Sequence, residues 1–278
     1  MPEHDHEVID VLFQGVARSV CCHRVGDVII DPGPASSAGR LLAALSGREP
    51  RAILLTHIHL DHAGAAGLLA RHWPQAEVWV HERGARHLVD PSRLIASATR
   101  IYGNAMERLW GEIVPVSAER LRVLRGGENE GGFQVAYTPG HAAHHVSYLH
   151  ERSRVVFAGD VAGVRIAAGP VFPPTPPPDI DLEAWRASLD LLSAWEPHGL
   201  ALTHFGLHEH PEEHLTQMRE ALTFWGDLGR RVDAPAFEHA VEGSLAGLDD
   251  ATRAGYLTAM PPSTLHAGLA RYWATATG

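Results

Sequence analysis

The residues of this 278-residue chain that are best suited to chemistry lie in one short run, from Thr56 to Gly64. It contains four potential metal ligands: His57, His59, Asp61 and His62. The apolar residues 51–55 predict a buried strand, and side chains two positions apart in a strand share a face. We therefore expect the first two histidines to bind one ion. The glycines that follow open a helix, so the other two ligands should lie in a turn and suit a second ion.

Three further ligand-capable residues each follow a strand-like segment: His141, Asp160 and His204. The ends of strands in an α/β fold meet at one edge of the sheets, so these residues should join the histidine run. Imidazole nitrogens and carboxylate oxygens suit zinc, with iron and manganese as alternatives. The predicted site has two divalent ions, with His57, His59 and His141 on the first, Asp61, His62 and His204 on the second, and Asp160 between them.

Such a site would supply its own nucleophile. Two ions about 3.5–4 Å apart lower the pKa of water, so a bridging hydroxide would be available near neutral pH. Asp61 would help to shuttle the proton. Asp31 ends a predicted strand and would either orient a histidine ligand or form a plain turn, and His145 is expected to support the site. His208, His210 and His214 are expected on a solvated, Glu-rich segment.

Alternating strands and helices surround these residues, which is typical of an α/β layered fold. Strands are predicted at 7–13, 19–25, 27–34, 51–56 and 77–81, with helices at 36–45 and 64–72. A helical insertion over about 82–112 interrupts this order. The strand-like segments that follow, 120–124, 133–138, 145–149 and 154–158, are expected to form a second sheet.

The last third of the chain is predicted to be mainly helical. Residues 170–178 contain six prolines and predict a stiff loop. A helix at 182–195 and a short strand at 200–203 follow, and residues 211–277 have a helical pattern. The predicted domains are a catalytic domain, 1–207, and a helical extension packed on it, 208–278.

The apolar residues of the insertion have two interpretations. With the loop 171–174 they would form a lid over the cleft and favour an apolar acyl group, with Tyr102 or Arg100 orienting the substrate. Alternatively they pack on the domain or form the contact of a homodimer.

Composition restricts the partners. The formal net charge is −10 and the arginines are scattered, which disfavours nucleic acid and favours a small-molecule substrate. The chain has neither a signal-peptide pattern nor an apolar run of about 18 residues, so no membrane partner and a cytoplasmic location are expected.

The motifs together resemble the metallo-β-lactamase-fold hydrolases. The matching pieces are Thr56-His57-x-His59-x-Asp61-His62-x-Gly64, Thr138-Pro139-Gly140-His141, Gly159-Asp160, Thr203-His204 and the earlier Asp31-Pro32-Gly33. The resemblance implies a four-layer αβ/βα sandwich with metals in the cleft between its sheets. The carboxylate Asp160 argues against the true β-lactamases, which lack that bridging ligand. Lactonases of this fold carry a tyrosine where this chain has Gly163, and we identify no glutathione-binding set in the tail.

The sequence therefore predicts a dinuclear hydrolase of an ester, thioester or lactone. A phosphodiesterase is one alternative. The other is a mononuclear non-haem iron enzyme similar to persulfide dioxygenases, in which His57, His141 and Asp160 would bind the iron.

Overall fold

The computed structural model describes residues 6–276, and these form two six-stranded sheets. The first sheet has its strands in chain order: β1 (His6–Asp10), β2 (Cys21–Val25), β3 (Val28–Ile30), β4 (Ala52–Leu54), β5 (Glu77–His81) and β6 (Leu121–Leu124). The second sheet has the order β12-β11-β10-β9-β8-β7: β7 (Asn129–Glu130), β8 (Phe133–Tyr137), β9 (Val146–His150), β10 (Val155–Phe157), β11 (Gly199–Leu202) and β12 (Gly206–His208). Strands β3 to β6 are parallel, as are β10 and β11, and the other neighbours are antiparallel.

Side-chain alternation along the strands separates the layers. In β4, Ala52 and Leu54 contact the second sheet, whereas Ile53 packs in the helical layer behind the first sheet. In β10, Phe157 lies between the sheets and Val156 packs against the helices behind the second. Both faces of β4 and of β10 are buried, which explains why these two strands are wholly apolar. The result is the predicted four-layer αβ/βα sandwich.

Helices cover the outer face of each sheet. Those behind the first sheet are α1 (Ala38–Ala44), α2 (Leu60–Ala63), α3 (Ala66–His72), α4 (Glu82–Val89), α5 (Ser92–Tyr102) and α6 (Met106–Trp110). Those behind the second are α7 (Leu182–Ala194), α8 (Pro211–Arg231), α9 (Ala234–Ser244), α10 (Asp250–Ala259) and α11 (Pro262–Ala276). The insertion predicted at about 82–112 corresponds to α4, α5 and α6.

The C-terminal helices share a core with the second sheet. Trp225 of α8 and Phe237 of α9 contact each other edge to face and pack with residues of β10, β11 and α7. Strand β12 crosses the domain boundary that was predicted between residues 207 and 208. The division into a catalytic domain and a helical extension stays a prediction. No helix within residues 6–276 combines the length and apolar character that crossing a membrane requires.

Two local predictions were wrong. The segment at 120–124 does not begin the second sheet, because β6 pairs in parallel with β5 at the edge of the first sheet. The helical insertion is thus the connection between two parallel neighbours. Helical structure also begins before Gly64, since α2 starts at Leu60, so Asp61 and His62 lie in its first turn and not in a loop.

Candidate metal centre

Four strand ends place the ligand-capable residues. His57 and His59 follow β4, His141 follows β8, Asp160 follows β10, and His204 follows β11. All seven predicted residues lie together at one edge of the two sheets. Their side chains form two groups whose ligand atoms lie within 4.8 Å of one another: His57, His59, His141 and Asp160 in the first, and Asp61, His62 and His204 in the second.

In the first group, three ring nitrogens converge. Nε2 of His57 lies 3.0 Å from Nδ1 of His59, and Nε2 of His141 lies 2.9 Å from the same atom. A neutral imidazole has a single N–H, so Nδ1 of His59 can donate to only one of these two neighbours. At least one lone pair therefore lacks a proton to accept. A cation that accepts several lone pairs fits this arrangement.

The second group combines two buried histidine rings with a partly exposed carboxylate. Nε2 of His204 lies 3.5 Å from Oδ2 of Asp61, and Nε2 of His62 lies 3.9 Å from it. His62 and His204 are buried, whereas the side chain of Asp61 is 20% exposed. The carboxylate is thus the member of this group that solvent or a substrate can reach.

Asp160 connects the two groups through its two oxygens. Oδ2 lies 3.2 Å from Nε2 of His141, while Oδ1 lies 3.3 Å from Nε2 of His62 and 3.5 Å from Nε2 of His204. Gly159 allows this position because its φ is +49° and a Cβ there would meet the hydroxyl of Thr56 at 2.5 Å. The carboxylate is therefore placed as a bridge would be.

The far nitrogens of the rings bind acceptors, which fixes their tautomers. Nδ1–H of His141 donates to the carbonyl of Pro174 at 2.9 Å, and Nδ1–H of His204 donates to the carbonyl of Ser19 at 2.7 Å. Carbonyl oxygens only accept, so the proton of each neutral ring is held there. Both Nε2 atoms consequently present lone pairs to the site, as metal-bound histidines do.

Neighbouring side chains hold the other buried histidine rings in place. His62 donates from Nδ1 to Asp31 at 2.8 Å, which is the contact expected if that carboxylate orients a histidine ligand, one of its two predicted roles. His57 Nδ1 lies 3.1 Å from the hydroxyl of Thr56, whose own proton goes to Asp31 at 2.7 Å. His145 supports the site as predicted, because its ring stacks on His57 with centroids 5.0 Å apart.

The electrostatics of the centre favour a positive charge. Burial opposes protonation of His62, but Asp160, Asp31 and Asp61 together raise its pKa well above the usual value. Burial also opposes ionisation of Asp160, yet the neighbouring rings, above all His62, hold its pKa well below the usual value. Within residues 6–276, His62 Nε2 and Asp160 Oδ1 have no well-oriented hydrogen-bond partner. These residues fit divalent metal ions.

A cavity of about 400 Å³ opens from the metal centre. Its floor includes His59, Asp61 and Asp160. Its walls come from the insertion, from the proline-rich loop and from the start of α11: Leu94, Ile101, Tyr102, Leu109 and Trp110; Pro174 and Pro176–Asp179; and Met260–Leu265 in part. The insertion and the tail thus both contribute to the pocket.

Some cavity residues differ from the sequence predictions. Tyr102 lines the cavity, whereas Arg100 is exposed on α5 and does not. Arg86, His87 and Arg93 line it and were not predicted, because only their contacts identify them. His214 is buried and donates to the carbonyl of Ala162 at 2.7 Å, so its predicted solvated position was wrong.

Comparison with known proteins identifies the family. Residues 22–204 match the metallo-beta-lactamase superfamily, and the chain belongs to it. The fold and the His/Asp cluster define a metallohydrolase of this superfamily.

One similar protein, ST1585, is named for the same fold. The chain is 30% identical over 212 residues to the metallo-beta-lactamase fold-containing protein ST1585 of Sulfurisphaera tokodaii, covering 72% of this chain and 79% of that protein. The crystal structure of ST1585 superposes with a TM-score of 0.73 at 23% identity, over 97% of this chain and 99% of that one.

Two other similarities bear on chemistry. The chain is 29% identical over 226 residues to a hydroxyacylglutathione hydrolase of Xanthomonas euvesicatoria, covering 79% of this chain and 72% of that enzyme. It also resembles TTHA1623, solved in a di-iron-bound form, with a TM-score of 0.54 and 29% identity over 68% of this chain and 89% of that one.

Proposed function

We propose that the protein is a dinuclear metal-dependent hydrolase of an ester, thioester or lactone. The observation that carries this proposal is the position of Asp160, whose two oxygens face different groups of ligands. A carboxylate between two histidine-rich groups is what a pair of divalent ions needs as a bridge. The similarity to a hydroxyacylglutathione hydrolase, at 29% identity, supports a thioester as the bond that is cleaved.

Divalent ions held by these residues would supply Lewis acidity and a water molecule of lowered pKa. The protein contributes the positions of the ligands, since carbonyl acceptors hold His141 and His204 with their Nε2 lone pairs toward the site. Burial together with the neighbouring rings, first that of His62, lowers the pKa of His57 well below its usual value. That ring stays neutral, as a metal ligand must.

Asp61 is placed to handle the proton of the reaction. Its carboxylate lines the cavity and is partly exposed, whereas Asp160 lines the same cavity but is buried. Burial alone would raise its pKa, but His62 and His204 lower it to about 2, so the group is ionised at neutral pH. An ionised carboxylate can accept a hydrogen bond from the attacking water, and it can relay a proton to the departing oxygen or sulfur once divalent ions have made that water more acidic.

Tyr102 is placed to orient the substrate. Its ring packs against Trp110 with centroids 5.1 Å apart, and it lines the cavity above the metal centre. Burial and then the charge of Asp61 raise the pKa of its phenol, so it remains a hydrogen-bond donor at neutral pH. A carbonyl or leaving-group oxygen of the substrate would be its acceptor.

The cavity wall defines the acyl group. Leu94, Ile101, Leu109 and Trp110 provide apolar surface next to the metal centre. Because the space amounts to about 400 Å³, the substrate should be a small molecule with an apolar acyl chain.

The test combines metal analysis with a substrate panel. Purified protein should contain about two divalent ions per chain and hydrolyse a thioester, ester or lactone. Preference for phosphodiesters would replace the proposed substrate class. One iron per chain together with oxygen uptake would replace the proposed reaction.

A further inference from the structure

Two arginines lie on the insertion side of the cavity, away from the ligands. Arg86 belongs to α4 and Arg93 to α5, and both line the cavity that opens from the metal centre. The side chains of Arg83 and Arg125, by contrast, have partners outside the cavity. Arg83 donates to the hydroxyl of Tyr137 at 2.9 Å, and Arg125 pairs with Glu82 at 2.9 Å. Of these four arginines, Arg86 and Arg93 line the cavity and the other two do not.

The arginine pair, Arg86 and Arg93, forms no direct ion pair in the part of the chain that the structure describes. Within residues 6–276, no carboxylate oxygen lies within 4.0 Å of either guanidinium. The protein carries a formal net charge of −10, so acidic side chains are abundant elsewhere. Two arginines that line one cavity and form no ion pair within the described residues supply positive charge for binding an anion.

His87 orients one member of the pair. Nε of Arg86 donates to Nε2 of His87 at 3.2 Å, which leaves the outer edge of the guanidinium available. Burial and the charges of Arg86 and Arg93 lower the pKa of His87, so its ring is neutral and accepts that bond. The planar fork of an arginine matches a carboxylate through two parallel hydrogen bonds.

The acidic groups of the cavity decide which anion fits. Asp61 and Asp160 lie on the floor, and Asp179 lies on the wall formed by the proline-rich loop. In the metal-loaded enzyme the ions compensate Asp61 and Asp160, so Asp179 is the charge that repels a doubly charged phosphate more than a singly charged carboxylate. Leu94, Ile101 and Tyr102 also line the cavity, so an apolar spacer can join the two ends of a bound ligand.

We propose that the arginine pair binds a carboxylate at the far end of the acyl substrate, so that the enzyme selects acyl compounds with an anionic terminus. This inference rests on the proposed function, because it names the substrate class of the same site. It adds a second point of attachment, remote from the bond that is cleaved.

The test compares two substrates that differ only at that end: a monothioester of adipic acid and the matching thioester with a terminal carboxamide. Metal-loaded enzyme should show kcat/KM about tenfold higher for the acid, mainly through KM. Replacing both arginines, Arg86→Gln with Arg93→Gln, should abolish the preference by lowering kcat/KM for the acid to that for the carboxamide. Arg100→Gln is the matched control, since Arg100 lies on α5 outside the cavity.

Binding provides a measurement that does not depend on hydrolysis. By calorimetry, adipate should bind the wild-type protein about tenfold more tightly than hexanoate, because only adipate has a second carboxylate. The double variant should bind both equally. Equal binding by the wild-type protein, or a preference that survives in the double variant, would overturn the proposal. If adipate is preferred but no acyl substrate is hydrolysed, the proposed function fails and the carboxylate site stands.

Discussion

The imidazole of His62 donates from Nδ1 to Oδ2 of Asp31 at 2.8 Å, and both side chains are buried. The same carboxylate accepts hydrogen bonds from the hydroxyls of Thr56 and Thr203, at 2.7 and 2.8 Å. Thr56 also donates its backbone N–H to Oδ1 at 2.8 Å. One carboxylate thus ties the ends of β4 and β11 to a ligand of the metal centre.

Asp31→Asn should weaken metal binding without moving the backbone. Asn tolerates the positive φ of 50° at this position, but its amide presents donors to groups that themselves donate. Loss of such an orienting group costs about 10–100-fold in metal affinity. Competition with a chelator measures the effect. Asp27→Asn is the control, because the side chain of Asp27 is exposed and pairs with Arg51. An equal loss of metal affinity in both variants would contradict the role of Asp31.

Removal of metal should destabilise the protein. Without ions, the buried carboxylate of Asp160 and the surrounding nitrogens lose their shared counter-charge. A ligand present at a hundred times its Kd stabilises by about 2.7 kcal/mol, so chelation should lower Tm measurably. Asp160→Asn should start from the lower Tm and respond little to the chelator. An unchanged wild-type Tm after verified metal removal would argue against a shared metal centre.

Tyr102→Phe should slow hydrolysis while keeping metal content. The variant removes only the hydroxyl that we propose to orient the substrate, and its ring can still pack against Trp110. Loss of a donor to a developing charge costs about 10²–10³ in kcat at its largest. Steady-state kinetics on the best substrate from the panel checks this. Tyr272→Phe is the control on α11, outside the cavity lining, and should have wild-type kcat.

Gly140→Ala should disturb both stability and the site. Gly140 has a φ of +136°, and a Cβ there would lie 2.4 Å from Trp185. We expect a loss of about 1–3 kcal/mol in the free energy of unfolding, with displacement of the adjacent His141 and loss of metal. Gly39 lies on helix α1, and in Gly39→Ala the new Cβ has open space around it. The free energy of unfolding should therefore stay level or rise by up to about 1 kcal/mol. Denaturant titration compares the two variants.

Stability should fall in mild acid partly because of His214. Burial lowers its pKa from 6.5 to about 4, so between these values the unfolded chain binds a proton that the folded chain does not. The free energy of unfolding therefore decreases as the pH falls through this window. His214→Gln keeps a donor for Ala162 and should reduce the decrease by roughly 1–2 kcal/mol. Denaturant titration at several pH values measures the effect, and a pH profile unchanged by His214→Gln would contradict this role.

The layered fold and the gathering of ligands were predictable because both depend on local patterns. Apolar strands followed at once by His141, Asp160 or His204 bring those residues to one edge whatever the connections between them. The placement of β6 was not predictable in the same way. After a long helical insertion, the sequence carries no local signal for whether the next strand returns to the first sheet or begins another.

The cavity wall was harder to predict than its floor. Arg86 and Arg93 have the sequence surroundings of ordinary surface arginines, and only the three-dimensional placement of the insertion makes them part of the cavity lining. His214 shows the opposite case. Its neighbours Glu212 and Glu213 indicate a solvated segment, but helical periodicity carries the imidazole onto the buried side of α8.

The hydrogen bond from His141 to the carbonyl of Pro174 joins the wall of the cavity to a candidate metal ligand that contacts His59 on its floor. A molecule large enough to push the proline-rich loop outward would take away the acceptor that keeps the proton on Nδ1. The ring could then turn or change tautomer, and its hold on the ion would weaken. Size selection would in this way act on reactivity itself, since an oversized substrate would impair the centre that has to cleave it.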